Sequence, residues 1–296
     1  NIVLALGHPA SFIAAFASLF LNVHFVLCHT QQPRYFEMMT WQAPFKRKFH
    51  QFVYKFYIHR ATTVISLSKE VTEVLVSQGI KKEKIIPINF GIDFVRIRKQ
   101  LNEIESKPAL SEGVPKILMV GRLAPEKNYI MALEAFAIFL KVYPQAMLSI
   151  AGEGPQRGEI SSLAHSLRIS DNINFLGYVN NIPGLMTKFD LLLHLAGTES
   201  YGQIYLEALL SRLPVICSRT GIAIDLSESE EPNIRVVAPL SVQNVSQELL
   251  NYFSKSAPLH NNEADLFAHF HKHEDKFVYQ EIALNLQALT AKRRQI

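Results

Sequence analysis

The chain has 296 residues, of which 48% are hydrophobic and 19% charged, enough apolar material for two ordinary cores. No stretch reads as low-complexity, and no internal repeat occurs at solenoid periods. The charge is uneven: residues 1–107 hold 14 Lys and Arg against 7 Asp and Glu, while the remainder holds 16 against 19. The basic part is therefore expected to face something acidic, either a membrane surface or the phosphate groups of a ligand. Cys28 and Cys217 each end an aliphatic run and lack metal-ligand spacing, which fits buried thiols and a reducing compartment. A disulfide between them is the lesser reading.

Asn1 stands directly before an apolar, strand-like run, a place where natural domains rarely begin. A missing N-terminal piece, or numbering that starts at an internal position, is expected. No Asp, Glu, Lys or Arg precedes Arg34, so this opening segment must be weighed as a membrane span. It carries Gly7, His8, Pro9, Asn22 and His24, and it parses better as strand (2–6), Gly-Pro turn, helix (11–21) and strand (24–28). Parallel strands covered on both faces are apolar throughout, which accounts for the missing charges. A signal peptide is disfavoured by the absence of a basic n-region.

Trp41 to Arg60 is aromatic and basic together. Phe45, Phe49, Phe52 and Phe56 recur at helical spacing, and Lys46, Arg47, Lys48, Lys55 and Arg60 supply charge. The preferred reading is a core-facing helix with a solvated basic side; the alternative is an interfacial helix docking on anionic lipid. A strand at 62–68, a helix at 69–78 and a strand at 84–89 follow. The polar stretch 101–115 is expected to be a linker.

Beyond it, strands at 116–121, 146–152, 173–177, 190–196, 214–218 and 234–238 alternate with helices at 127–142, 156–168, 182–188, 203–212 and 242–254. In the first of these helices Ile130, Leu133, Phe136, Ala137 and Leu140 form one apolar stripe. This alternation predicts a doubly wound parallel sheet, which binds ligands beyond the carboxyl ends of its strands. Gly121 and Arg122 close its first strand, and Lys127 is expected to open the helix after it. Two cations in one such loop suit a diphosphate, or are ordinary surface residues. Gly152-Glu153-Gly154-Pro155 ends the next strand, where glycine allows a sharp turn or a close ligand. After the fourth strand comes Gly197 to Ala208, with a helix starting near Gly202. The backbone N–H groups of Gly202, Gln203 and Ile204 would face an anion there. Glu199 and Glu207 bracket that site, and a carboxylate beside a phosphate site suits sugar or ribose hydroxyls better than simple packing.

These motifs, in this order, make the chain resemble family 4 glycosyltransferases: Gly121 to Asn128 (GRL-x-x-E-K-N), Gly152 to Pro155 (G-x-G-P), Phe175 to Val179 (F-L-G-Y-V), Glu199/Gly202/Glu207 (E-x7-E) and Leu213 to Ile216 (L-P-V-I). The resemblance covers about 1–290. It implies an α/β fold of the GT-B type, two Rossmann-like doubly wound parallel-sheet domains facing a cleft, the N-terminal one incomplete. The implied domains are 1–107 (acceptor side), 108–276 (nucleotide-sugar side) and a C-terminal helix at 277–296 packing back toward the N-terminal domain.

The implied activity is a retaining transferase that moves a hexose from a nucleotide diphosphate sugar to a glycan or lipid-linked acceptor, without metal or cofactor. Consistent with that, no Asp-x-Asp occurs. Arg122 and Lys127 would hold the donor diphosphate, Glu207 the ribose, Glu199 the donor sugar, and the backbone around Tyr178 and Val179 the base. Gly121, Gly154, Gly202, Gln203 and Ile204 would complete the donor site. Cys28-His29-Thr30 matches the family's cleft histidine, so His29 would face the transferred sugar; read alone, it is an ordinary strand-end histidine. The implied catalytic set is thus Glu199, His29, Lys127 and Arg122. Pro33-Arg34-Tyr35 resembles the sub-group that often transfers mannose, although two glutamines precede it.

The chain departs from the family pattern at several points. Family members begin with another strand and a Gly-rich loop. The paired glycine after the P-V-I strand is Thr220-Gly221, the following acid is Asp225, and Tyr201 stands for the commoner Phe. The expected location is cytoplasmic, with peripheral contact to anionic membrane through Trp41–Arg60 and no nucleic-acid partner. The competing readings are a non-catalytic or truncated nucleotide-sugar-binding remnant, and a GT-B sugar-nucleotide epimerase.

Overall fold

The computed structural model describes residues 2–29, 44–89, 91–103, 114–229 and 231–254, and, nearer the C-terminus, residues 270, 273–274, 278, 280–285 and 287. They divide into two compact units. The first comprises Asn1–Ile92 with Thr198–Tyr201 and Lys272–Ile296; the second comprises Asp93–Gly197 and Gly202–His271.

The first unit is built on a parallel sheet in the order β1 (Ile2–Leu6), β2 (His24–His29), β3 (Thr63–Ser66), β4 (Ile85–Pro87). The uncharged opening run folds as strand, helix and strand, with α1 at His8–Ala17 between β1 and β2. Gly7 precedes that helix at φ 77°, a left-handed value open to glycine, and Pro9 fits its first turn, where no N–H partner is needed. The helix stops at Ala17, earlier than the expected Leu21, with Ser18 capping it. Among the described residues no helix is long and apolar enough to cross a membrane.

Helix α2 (Pro44–Arg60) departs from its expected orientation. Its core face is Val53, Tyr54, Tyr57 and Ile58, all buried. Phe45, Phe49 and Phe52 instead stand in solvent, at 81%, 58% and 70% exposure. Phe56 alone of the four phenylalanines packs on the core, with its ring also 5.9 Å from that of the exposed Phe12. The helix carries apolar residues around most of its circumference, so its spacing did not identify the face that meets the sheet. Helix α3 (Lys69–Ser77) buries Val71 and Leu75 and is capped by the Ser68 hydroxyl, which accepts from the Val71 N–H. Trp41, Thr30, and Pro33-Arg34-Tyr35 lie outside the described residues.

The second unit contains a helix that the sequence reading left unassigned, α4 (Phe94–Asn102). The Asp93 carboxylate caps it at Arg96 N–H, 2.8 Å, and its Phe94 and Ile97 are buried. It packs within this unit, where the Asn181 amide donates to the Gln100 carbonyl at 3.0 Å.

Six parallel strands follow in the order β10-β9-β8-β5-β6-β7: β5 (Lys116–Val120), β6 (Met147–Ala151), β7 (Ile173–Gly177), β8 (Leu191–His194), β9 (Val215–Ser218) and β10 (Ile234–Val237). The chain runs outward from β5 through β6 and β7, then returns to β8 on the other side of β5. That reversal makes a switch point at the carboxyl ends of β5 and β8, the position where doubly wound sheets bind ligands.

Helices α5 (Tyr129–Phe139), α6 (Arg157–Ser166), α7 (Ile182–Met186), α8 (Gln203–Leu210), α9 (Ala223–Glu228) and α10 (Val242–Ser254) complete the unit. The predicted α5 stripe is too narrow. Tyr129, Ala132, Ala135 and Phe139 are buried with Leu133, Phe136 and Leu140, while Ile130 and Ala137 are only half-buried. A helix apolar nearly all round is one covered on several sides, here by the sheet and by α10.

Candidate active site

Backbone hydrogen bonds join the β5–α5 loop to the end of β6. Gly121 N–H donates to the Ala151 carbonyl, Leu123 N–H to Glu153, and Gln156 N–H to Leu123. The β5 and β6 termini are thereby laced together. A Cβ on Gly152 would sit 2.0 Å from the Gly121 oxygen, and one on Gly154 2.4 Å from the Leu123 oxygen. Both glycines are accounted for by this close approach, with Gly152 also at φ 140°. That is the plain structural reading of the Gly152–Pro155 motif.

Lys127 does not open α5. It ends a single 3-10 turn (Pro125–Lys127), and Asn128 breaks the path at φ 52° before the α-helix begins at Tyr129. Asn128 is in the left-handed region, which asparagine tolerates better than most residues. Its side-chain amide donates to the Leu195 carbonyl at 2.8 Å, and Gly197 N–H donates to the Glu126 carbonyl at 2.8 Å. The β5 loop is thus tied to the end of β8, the two sides of the switch point. Tyr129 Oη donates to the Gly121 carbonyl at 2.9 Å, and the Lys127 stem lies where it would meet a Gly121 side chain. Arg122 is exposed and Lys127 half-buried.

Helix α8 begins after Gly202, whose φ of 88° and 2.4 Å notional Cβ contact with the Tyr205 ring both call for glycine. Below it, Tyr205 is fully buried, its hydroxyl 3.1 Å from that of Thr220 and its ring edge-on to His194. The helix N-terminus with Gln203 and Ile204 is therefore fixed over the sheet, and the helix dipole gives that end a positive field. Glu207, one turn further, accepts from Arg96 Nη2 at 2.8 Å. Tyr178 follows β7 and is 77% exposed, with half-buried Val179 beside it.

Gly121, Arg122, Lys127, Gly154, Tyr178, Val179, Gly202, Gln203, Ile204 and Glu207 thus all belong to the second unit. Glu199 lies in Thr198–Tyr201, which groups with the first unit, as does His29. Within that unit Tyr201 Oη meets His273 Nδ1 at 2.8 Å, and Ile92 N–H donates to the His273 carbonyl. The hydroxyl that distinguishes Tyr201 from phenylalanine is therefore used.

His29 ends β2 and is buried. Its Nε2 is 2.9 Å from Tyr54 Oη, which donates its own proton to Gln78 Oε1 at 2.9 Å. With that proton given to Gln78, the matching tautomer carries its hydrogen on Nε2 and a lone pair on Nδ1. Among the described residues Nδ1 has no hydrogen-bond partner. Burial pulls the imidazole down to about 4, so the ring is neutral near pH 7. Both cysteines are buried thiols: burial pushes Cys28 up to about 11 and Cys217 higher. Among the described residues no group of three or more His, Cys, Asp or Glu could hold a metal ion.

Sequence reasoning missed Arg96, Gln100 and Asn181. The signal for α4 was present as Asp93 followed by apolar residues at 94, 97 and 101, an N-cap and a helical stripe.

The profile of glycosyl transferases group 1 matches residues 101–264. The alpha-monoglucosyldiacylglycerol synthase of Streptococcus pneumoniae is 28% identical over 197 residues, covering 64% of this chain and 44% of that protein. The 2-deoxystreptamine glucosyltransferase of Streptomyces kanamyceticus is 26% identical over 209 residues, 68% of this chain and 54% of that one. The chain thus spans about half the length of the curated relatives it matches. Among solved structures, Anabaena Alr3699/HepE in complex with UDP and glucose superimposes with a TM-score of 0.76 at 19% identity, over 97% of this chain and 77% of that one. WaaG, a glycosyltransferase involved in lipopolysaccharide biosynthesis, gives 0.69 at 20% identity, over 97% and 85%. The fold is that of the GT-B glycosyltransferases. With its profile match spanning more than half of its length, the chain belongs to the group 1 glycosyl transferases.

Proposed function

We propose that this protein transfers a hexose, with retention of anomeric configuration, from a nucleotide diphosphate sugar to a glycan or lipid-linked acceptor. The observation that carries the reading is the switch point itself. The Arg122–Lys127 loop and the Gly202-capped end of α8 follow neighbouring parallel strands, and they supply cations and a positive helix terminus at the carboxyl edge of one sheet. In this reading Arg122, Lys127 and the N–H groups of Gly202, Gln203 and Ile204 receive the diphosphate. They stabilise the charge that grows on it as the glycosidic bond breaks. Glu207 accepts the ribose hydroxyls, and the backbone at Tyr178–Val179 meets the base. Glu199 contacts the donor sugar, and His29 Nδ1, a bare lone pair, accepts from a sugar hydroxyl. The departing phosphate takes the acceptor's proton, so neither a separate general base nor a metal is needed.

UDP accompanies the related Anabaena protein, and the pneumococcal relative is named for a glucosylated diacylglycerol. A uridine donor and a lipid acceptor are accordingly the first pair to assay. The test is turnover of UDP-glucose, UDP-galactose, UDP-N-acetylglucosamine and GDP-mannose by the full-length protein, with membrane lipid extract as acceptor. Glu199→Ala and Lys127→Ala are expected to abolish it; wild-type turnover in both would overturn the site assignment.

A cytoplasmic protein in peripheral contact with anionic membrane also belongs to this reading. Its support is the stripe of exposed Phe45, Phe49 and Phe52 with exposed Lys46, Lys48 and Lys55 on α2.

A further inference from the structure

The second glutamate of the paired motif does not stand alone. Arg96, at the first turn of α4, reaches across 111 positions of sequence to place Nη2 2.8 Å from Glu207 Oε1. The Arg96 side chain is 44% exposed and that of Glu207 15%. The same guanidinium donates through Nη1 to Gln100 Oε1 at 3.0 Å, one helical turn on. Gln100 in turn is bound to the segment that follows Tyr178 and Val179. Its carbonyl accepts from the Asn181 amide at 3.0 Å, and its own amide reaches the Asn180 carbonyl at 3.5 Å. Asp93 fixes the start of the helix by capping Arg96 itself.

One helix therefore joins the carboxylate assigned to the ribose with the loop assigned to the base. A carboxylate has about four lone-pair sites, and a half-buried one can turn about its last bond unless something holds it. A guanidinium on Oε1 removes that freedom and leaves the lone pairs of Oε2 to accept from a vicinal diol. A carboxylate oriented in this way makes a stronger bond to a hydroxyl than a neutral acceptor would.

On the reading that Glu207 receives the ribose, we infer that Arg96 is the positioning residue for it, and that α4 sets ribose recognition together with the base loop. Arg96 touches no reacting atom. Its loss should weaken donor binding and spare the chemical step.

The test uses the full-length protein and the nucleoside diphosphate that binds tightest among UDP, GDP and ADP, compared with its 2′,3′-dideoxy form by calorimetry. Wild type is expected to prefer the ribose form by about tenfold or more, the worth of one charge-assisted hydrogen bond. Arg96→Gln and Arg96→Met, both uncharged and of similar length, should each cut that preference to below about threefold, with melting temperature held within about 1 °C. Arg96→Lys should restore part of it, since the charge returns without the fork. In turnover, KM for the donor should rise about tenfold in the uncharged variants while kcat stays within about twofold.

Preference kept by Arg96→Gln and Arg96→Met but lost in Glu207→Gln overturns the role of Arg96 and leaves the ribose reading standing. Preference kept in Glu207→Gln, or no binding of any of the three diphosphates by wild type, overturns the ribose reading and the inference with it. If one Arg96 variant melts early, the other decides.

Discussion

Tyr201 Oη lies 2.8 Å from His273 Nδ1, and both side chains are buried. Seventy-two positions of sequence separate them, and Ile92 N–H closes the contact by donating to the His273 carbonyl. The bond fastens the stretch that carries Glu199 to the C-terminal segment of its own unit. Tyr201→Phe should lower stability by about 1–2 kcal/mol, the cost of leaving a buried partner without its hydrogen bond. Thermal unfolding checks this; an unchanged midpoint would remove the hydroxyl from the account.

The β5–β6 lacing makes a contrast between two glycines. A Cβ at Gly152 meets backbone oxygen at 2.0 Å, and backbone cannot step aside as a flexible side chain can. Gly152→Ala should therefore cost more than about 3 kcal/mol and yield little folded protein. At Gly158, in the first turn of α6, nothing lies within 4 Å of a notional Cβ. Gly158→Ala should stabilise by about 0.5–1 kcal/mol through helix propensity. Urea denaturation of the pair measures both, and equal midpoints would contradict the lacing.

Burial of His29 has a pH signature. Its folded value of about 4 lies below the ordinary 6.5, so between those limits the unfolded chain takes up a proton that the folded chain refuses. Stability is whole above pH 6.5 and declines as pH falls through this window, by roughly 3 kcal/mol from this residue at its acid end. His29→Gln should flatten that part of the stability profile. Denaturation midpoints at pH 7.5 and 5 decide it: a variant as acid-sensitive as wild type means the imidazole is not the cause.

For α2, vesicle flotation separates the two readings of an aromatic, basic helix. The full-length protein should float with phosphatidylglycerol vesicles and less with neutral phosphatidylcholine. Replacing Phe45, Phe49 and Phe52 together by Ser should reduce partitioning by at least about 100-fold, three ring insertions at over 1 kcal/mol each. Replacing Lys46, Lys48 and Lys55 by Gln should remove the salt-dependent part. A triple-serine variant that floats like wild type would sink the membrane contact.

Cys28 and Cys217 should resist iodoacetamide at pH 8 until the protein is unfolded, because burial holds each as the unreactive thiol. Mass spectrometry of native and urea-treated protein reads the difference; rapid native labelling would show a more open structure around β2 or β9.

The second unit was legible because its signals are local. Runs such as Lys116–Val120 and Val215–Ser218, each followed by glycine or a turn and then a helical segment, specify strand, loop and helix within a few residues. Right-handed crossovers limit the strand orders open to such a run, and the structure shows which one is taken. The candidate donor residues were legible for the same reason, since Gly121 to Asn128 and Glu199 to Glu207 are contiguous stretches at strand ends.

What the sequence did not contain was the identity of partners brought from a distance. Helix α2 has apolar residues around most of its surface, so only packing decided that Val53, Tyr54, Tyr57 and Ile58 face inward and Phe45, Phe49 and Phe52 outward. Lys127 was read as opening a helix because residue types do not reveal that Asn128 takes a left-handed turn, a choice made by its amide bond to Leu195. Nothing in the sequence singles out Arg96, and only the fold of α4 sets it beside Glu207. Strand, helix and motif arise from near neighbours and can be read along the chain. Which side of a helix is buried, and which charge meets which, are settled by surfaces that come together only on folding.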